Sequence, residues 1–128
     1  MKQATRDWVK KAEADSEAAL DLARRRQRPL HDEVCFHCQQ CAEKYFKARL
    51  EEAGVRSPKT HDLLRLLPLL LSLEPLWAAL TPAARFLTDF AVDFRYPGNE
   101  ATKADAKAAL LHAKTIRREA RLAPGLKV

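Results

Sequence analysis

The residues that break or end helices stand at a few points of this sequence and divide it into segments. The main ones are Pro29, Gly54, Pro68, the pair Thr81-Pro82 and the pair Pro97-Gly98. Glycine is scarce, with three residues in 128, and alanine, leucine and arginine are the commonest residues, so the chain favours helix between these points. Apolar side chains recur there at spacings of three and four, and no segment alternates like a strand. The sequence therefore predicts an all-α protein.

We expect about five helices. The predicted segments are residues 5–27, residues 31–53, a leucine-rich segment from Thr60 onward, a segment from Thr81 to the Pro97-Gly98 stop, and residues 102–122. Thr60, Thr81 and Thr102 are the expected N-caps, and Asp105 would complete a weak capping box with Thr102. Pro68 should kink or split the third helix. Short connections between such helices predict an antiparallel up-and-down helical bundle that forms one domain over residues 1–128.

If successive helices alternate in direction, the bundle has two distinct ends. The end of the first helix, with the basic cluster Arg24–Arg28, would then lie beside the end of the fifth, with the basic cluster Arg117–Arg121. The pairs Thr60-His61 and Arg95-Tyr96 would share the opposite end. This expectation holds only if Pro68 kinks its helix without reversing it.

The formal net charge is +6 at neutral pH, and the isoelectric point is about 9.5. This balance suits an anionic partner such as RNA, a nucleotide or an acidic protein, although it also suits a merely soluble basic surface. The N-terminal residues lack the apolar region of a signal peptide, and no apolar run of about 20 residues could span a membrane. Three cysteines without a secretion signal indicate the reducing cytoplasm.

The cysteines Cys35, Cys38 and Cys41 lie within one apolar arc of the second helix, and His31 and His37 are close to them in sequence. Such spacing could bring metal ligands together, but one helix rarely surrounds a tetrahedral ion, and no second ligand cluster occurs elsewhere. Free cysteine in an apolar arc behaves as a small hydrophobic residue. We therefore predict buried thiols, no metal site and no cofactor.

The other side of the second helix carries Gln40, Glu43, Lys44 and Lys47. Lys44 and Lys47 are about one turn apart and could hold a phosphate together. The pattern favours a simpler interpretation, an exposed face on which Glu43 and Lys47 form an i,i+4 ion pair. His61, expected in the first turn of the third helix, is disfavoured there as a cation, so we expect it to be neutral or paired with a carboxylate.

Three stretches together resemble the HEPN domains (higher eukaryotes and prokaryotes nucleotide-binding). They are CQQCAEKYFKARL from Cys38, KTHDLL from Lys59, and FRYPG from Phe94 followed by ATKADAKAAL from Ala101. The resemblance covers roughly residues 5–120. It implies an up-and-down bundle that dimerises and that is often encoded beside a minimal nucleotidyltransferase, in a toxin–antitoxin or substrate-binding pair. It also implies a metal-independent RNase in many members, whose motif is an arginine, four to six residues and a histidine.

This sequence has the arginine of that motif, Arg95, but not its histidine. Positions 100 to 102, where the histidine would fall, hold Glu100, Ala101 and Thr102. We therefore expect a nucleotide- or RNA-binding module without RNase activity that forms a homodimer and partners a minimal nucleotidyltransferase. Two other interpretations stay open: an RNase toxin that uses Arg95 with His61, and a purely structural interaction bundle.

The expected phosphate contacts follow from the same resemblance and from the charged residues described above. Arg95 is the best placed, and Tyr96, Lys44, Lys47 and His61 are weaker candidates. The homodimer has a separate warrant, because the segment from Leu66 to Leu80 and the stripe of Phe86, Phe90 and Phe94 offer more apolar surface than a small bundle easily buries.

Overall fold

The computed structural model of the chain describes residues 1–90, 97–123 and 126. Its helices are α1 (Gln3–Ala23), α2 (His31–Glu52), α3 (Leu63–Leu70), α4 (Thr81–Thr88) and α5 (Lys103–Leu122), and a 3₁₀ helix (Pro75–Leu80) leads directly into α4. No strand occurs in these ranges, so the predicted all-α bundle is confirmed. Among the described helices, none is both long enough and apolar enough to cross a membrane.

Helix α2 is the centre of the bundle, because α1, α3, α4 and α5 all pack against it. Half of its 22 residues are buried, among them the aromatic side chains of Tyr45 and Phe46. The ring of Phe46 stacks on Trp77 of the 3₁₀ helix, with 6.0 Å between ring centroids. The three cysteines of α2 are free and buried, as the apolar arc predicts.

Several helix boundaries differ from the predicted ones. Helix α1 ends at Ala23 rather than Gln27, since Arg24 to Arg26 are exposed and no packing favours another turn there. Asp62, not Thr60, caps α3, because its carboxylate accepts the amide hydrogen of Leu64 at 2.9 Å. Thr60 instead accepts from the amide of Asp62.

Of the other two predicted N-caps, Thr81 is wrong and Thr102 is confirmed. Thr81 is not a cap, because the preceding 3₁₀ helix occupies that position and the Thr81 hydroxyl donates to the carbonyl oxygen of Ala78. The capping box of Thr102 and Asp105 is present at the start of α5.

The directions of the later helices overturn the expected arrangement of the two ends. The segment after α2 doubles back, so that the carbonyl of His61 accepts a hydrogen bond from Gln39 in the middle of α2. The amide of Leu63 donates to the hydroxyl of Thr88, so α3 and α4 are antiparallel, and the chain reverses between them.

As a result, α5 runs parallel to α2 and antiparallel to α1. Asp32, in the first turn of α2, accepts the amide hydrogen of Ala101 just before α5, at 2.6 Å. Glu13 in the middle of α1 pairs with Arg117 and Arg121 near the end of α5. The two basic clusters therefore do not share an end, and the cluster at Arg24 lies beside the start of α5.

Candidate phosphate and histidine site

The stretch that carries the best-placed phosphate contact lies only partly in the described structure. Phe94, Arg95 and Tyr96 fall outside the described residues. After them Pro97, Gly98, Asn99 and Glu100 are exposed, and Gly98 has a φ of +97°, which suits a residue without a β-carbon.

The three positions where the motif requires a histidine are otherwise engaged. Glu100 is exposed, Ala101 is buried with its amide on Asp32, and Thr102 caps α5. Ala101 and Thr102 thus connect the start of α5 to the start of α2 and cap α5, and Glu100 carries a negative side chain. This stretch supplies no group that could act as the missing histidine.

His61 lies over the middle of α2 and is held there by a buried carboxylate. Its Nδ1 atom lies 2.9 Å from Oε1 of Glu43, while 60% of the His61 side chain is exposed. Glu43 is only 3% exposed and also accepts from Nε2 of Gln39 at 3.1 Å and from Nζ of Lys47 at 3.0 Å. The expectation that His61 pairs with a carboxylate is confirmed, although the residue precedes the N-cap of α3.

The geometry gives His61 a defined orientation. A carboxylate only accepts hydrogen bonds, so Nδ1 of His61 carries the hydrogen, and Nε2 of a neutral ring is then an acceptor. Its main-chain carbonyl is held as well, since Nε2 of Gln39 donates to it at 2.8 Å. A histidine held in this way can bind a hydrogen-bond donor or, in the right geometry, transfer a proton.

Lys44 and Lys47 do not converge on one ligand position. Nζ of Lys47 pairs with Glu43 and lies 5.6 Å from the centroid of the Trp8 ring on α1. Lys44 pairs instead with Asp15 of α1, which also contacts Nδ1 of His37 at 2.8 Å. The predicted pair of Glu43 and Lys47 is confirmed, but each lysine is already neutralised by a carboxylate.

The prediction that this side of α2 is exposed to solvent is wrong. Gln39 and Glu43 are buried, because α1 and the segment leading into α3 cover them. Burial of a carboxylate is tolerated only where donors satisfy it, and Gln39, Lys47 and His61 do so here. Sequence reasoning missed Gln39 as part of this cluster; the signal was its four-residue spacing from Glu43 and of Glu43 from Lys47.

A partly buried carboxylate joins three helices. Glu13 of α1 accepts two hydrogen bonds at 2.7 Å from the guanidinium of Arg117, another contact from Arg121 at 3.2 Å, and a hydrogen bond from the hydroxyl of Tyr45. The hydrogen bonds from Arg117 and Tyr45 hold the pKa of Glu13 below its usual value of 4.5 against the opposing effect of burial. Arg117 and Arg121 of the second basic cluster therefore have a structural role, since both pair with Glu13.

The lowered pKa of Glu13 predicts a pH dependence of stability. A carboxyl group whose pKa is lower in the folded state stabilises the fold above its unfolded value, and that contribution is lost as pH falls through the folded pKa. We expect Glu13→Gln to lower the free energy of unfolding at pH 7 by about 1.5 kcal/mol, a modest value because Glu13 is partly exposed. In urea titrations the difference from wild type should shrink below pH 4.5, the unfolded reference. Glu17→Gln, at an exposed position of α1, is the control, and a difference that stays constant down to acid pH would contradict the assignment.

The cysteines line no described polar site. Burial raises the pKa of Cys35 and of Cys41 to about 12, and it raises the pKa of Cys38 as well, so all three are thiols at neutral pH. Among the described residues no group of three histidine, cysteine or acidic side chains could hold a metal ion. That the protein binds no metal stays a prediction.

Comparison with known proteins gives a consistent result for most of the chain. The model of the HEPN domain family matches residues 5–122. Among solved structures, the crystal structure of ST0689, an archaeal HEPN homologue, is similar with a TM-score of 0.72 and 29% sequence identity; the match covers 94% of this chain and 97% of that one. No curated protein matches.

Proposed function

The chain belongs to the HEPN domain family, and from that premise we propose that it is a module that binds the phosphates of a nucleotide or RNA and does not cleave RNA. In this proposal it acts as the binding partner of a minimal nucleotidyltransferase in a two-component, toxin–antitoxin-like system. The observation that carries the proposal is the stretch after Arg95, where Glu100, Ala101 and Thr102 stand in place of the histidine of the RNase motif.

Arg95 carries the binding half of the proposal. Its guanidinium is charged at every physiological pH and offers a planar fork of donors that matches phosphate oxygens. Tyr96, the next residue in the sequence, has a hydroxyl that could also donate to a phosphate. Lys44 and Lys47 are secondary, because a phosphate would have to compete with Asp15 and Glu43 for them.

The absence of cleavage follows from the chemistry that remains. Phosphate binding alone stabilises the ground state and the transition state alike, so it does not accelerate the reaction. Glu100 is no substitute for a histidine, since a carboxylate is anionic near neutral pH and repels a phosphodiester. Ala101 and Thr102 have no group that titrates there.

One observation favours a second candidate function, an RNase that uses Arg95 with His61. Glu43 orients His61 and leaves most of its side chain exposed, which is the arrangement that a general base needs. In this alternative His61 replaces the histidine of the motif from a different part of the chain.

The proposed partner can be checked at the gene level. A short nucleotidyltransferase in the neighbouring reading frame, whose product co-purifies with this chain, is the expected result. A neighbouring gene of another kind would leave only the binding half of the proposal.

The binding half is tested by ligand-dependent stabilisation. A nucleotide at ten times its dissociation constant adds about 1.4 kcal/mol, or roughly 4 °C in Tm for a domain of this size. We expect Arg95→Ala to remove most of that increase in a thermal unfolding assay with ATP and with short RNA. Arg65→Ala, which removes an exposed arginine of α3, should keep it. An equal increase in wild type and Arg95→Ala would contradict the role of Arg95.

The homodimer is also proposed, and the exposed apolar surface lies partly in the segment expected from the sequence and partly on α1 and α5. Within the segment from Leu66 to Leu80, five large side chains are buried inside the bundle, whereas Leu69 and Leu76 are exposed; the buried ones are Leu66, Leu67, Leu70, Trp77 and Leu80. Among the described residues, the other exposed large apolar side chains are Leu20, Leu111 and Leu122. Leu20 and Leu111 line an apolar groove of about 650 Å³ between α1 and α5.

We expect sedimentation velocity at micromolar concentration to give the mass of two chains. An apolar groove with exposed leucines at its edges is a surface that association would remove from water. A single species with the mass of one chain over the whole concentration range would contradict the homodimer.

A further inference from the structure

A basic cavity lies at the end of the bundle where α1 ends and where α2 and α5 begin. It has a volume of about 530 Å³. Its charged and titratable lining consists of Arg24, Arg25, Arg26, His31, Lys103 and Lys107, with no carboxylate among the lining residues. The antiparallel course of α1 and α5 creates this group, because it brings the first basic cluster to the lysines that open α5.

The cations of this cavity differ from the other basic residues near the core in having no strong partners. Lys44, Lys47, Arg49 and Arg117 each pair with a carboxylate that is at least two-thirds buried. Of the cavity cations, only Arg24 has an ion pair within the described residues, a contact of 3.7 Å with Asp21 in which both side chains are about three-quarters exposed. Such an exposed ion pair contributes little to the stability of the fold.

Two acidic side chains at the starts of α2 and α5 are occupied elsewhere. Asp32 accepts the amide of Ala101, and Asp105 accepts the amide of Thr102 within the capping box. Both carboxylates therefore satisfy backbone donors at the helix starts. Five permanent positive charges around one concavity repel one another, and an anion placed among them relieves that repulsion.

The chemistry of the lining defines the class of ligand. The cavity offers guanidinium and ammonium donors, which bind phosphate oxygens, and it has no phenylalanine, tyrosine or tryptophan on which a base could stack. Contacts of this kind read the backbone rather than the sequence. We propose that this cavity is a binding site for the phosphodiester backbone of single-stranded RNA, separate from the contact assigned to Arg95.

This inference rests on the proposed function, because it takes RNA as a ligand of the module, and it adds a second RNA-binding site.

Two double variants test the cavity site by fluorescence anisotropy with a labelled short oligouridylate: Lys103→Ala with Lys107→Ala, and Arg25→Ala with Arg26→Ala. Lys10→Ala with Lys11→Ala is the matched control, because it also removes two exposed positive charges but from the first half of α1. At the helical rise of 1.5 Å per residue, these lysines lie about 20 Å from the end of α1.

We expect each cavity variant to weaken RNA affinity by about tenfold or more and the control by no more than about twofold. Each lost phosphate contact lowers the slope of log affinity against log salt by about 0.7 for single strands, so the slope should fall by up to about 1.4 in each cavity variant. Circular dichroism and thermal unfolding check that all variants fold. An equal loss in the control, unchanged affinity in both cavity variants, or no RNA binding by wild type would each overturn the proposal.

Two further arms separate this site from its alternatives. Inorganic triphosphate at matched ionic strength should displace RNA only weakly. Tighter binding of triphosphate than of RNA would make the cavity a site for free polyphosphate and overturn the proposal for RNA.

Arg95→Ala, measured in the same assay, separates the cavity site from the proposed phosphate contact of Arg95. If the cavity variants lose RNA while Arg95→Ala affects neither RNA nor nucleotide, the cavity assignment stands and the role of Arg95 fails. If only Arg95→Ala loses RNA, the cavity assignment fails.

Discussion

Replacing Glu43 with alanine is expected to lower the free energy of unfolding by about 3 kcal/mol, because removal of one member of a buried ionic network leaves its partners unsatisfied. The carboxylate of Glu43 accepts from Gln39, Lys47 and His61, and Gln39 is fully buried. Without Glu43, the amide of Gln39 loses one acceptor and Lys47 loses its counter-charge in a site where its side chain is 13% exposed. Equilibrium urea unfolding at neutral pH measures the difference.

The control for this prediction is Glu17→Ala, which makes the same chemical change at an exposed position of α1. It should alter the free energy of unfolding by less than about 0.5 kcal/mol. His61→Ala should also cost little, because most of its side chain is exposed. If Glu43→Ala were as mild as Glu17→Ala, the network around Glu43 would not stabilise the fold as described.

The helices themselves could be predicted from local features of the sequence. Pro29 and Gly54 bound α2 closely, and Thr102 with Asp105 gives the start of α5, because caps and helix breakers act through the backbone of neighbouring residues. The apolar arc of α2 likewise predicted the buried cysteines. These features depend only on residues within a turn or two of each other.

The course of the chain between helices could not be predicted in the same way. Alternation of direction assumes that each connection reverses the chain once, but the segment after α2 doubles back to His61, and another reversal separates α3 from α4. Pro75 is a local signal for a break, since it opens the 3₁₀ helix, but it does not give the direction that the chain takes after α3. The assumption of alternating helices therefore placed the basic cluster at Arg24 beside the end of α5. In the structure this cluster lies beside Lys103 and Lys107, at the start of α5.

The candidate site was recognised in part for a related reason. Lys47 and Glu43 were identified as a pair from their spacing, yet their side of α2 was expected to face water. A helix surrounded by four others must bury polar residues as well as apolar ones, so polarity alone does not identify its exposed side. Only the tertiary contacts show that His61 and Trp8 cover Glu43 and Lys47.

Purified protein is expected to show no metal-independent cleavage of RNA. General acid–base catalysis contributes about a hundredfold to ten-thousandfold, and residues 100–102 provide no group for it. His61 has the orientation of a base, but we assign it a structural role as a hydrogen-bond partner of Glu43, not a role in attacking a phosphodiester. Catalysis depends on placement within a fraction of an ångström, so an oriented histidine by itself does not make an active site.

RNase activity is measured by incubating structured and unstructured RNA with the protein in EDTA. Wild type, Arg95→Ala and His61→Ala are compared, and the two variants exclude a contaminating nuclease. We expect intact RNA with all three proteins, together with weaker RNA or nucleotide binding by Arg95→Ala. Cleavage by wild type that disappears in both variants would contradict this expectation and would establish Arg95 and His61 as the catalytic pair of an RNase.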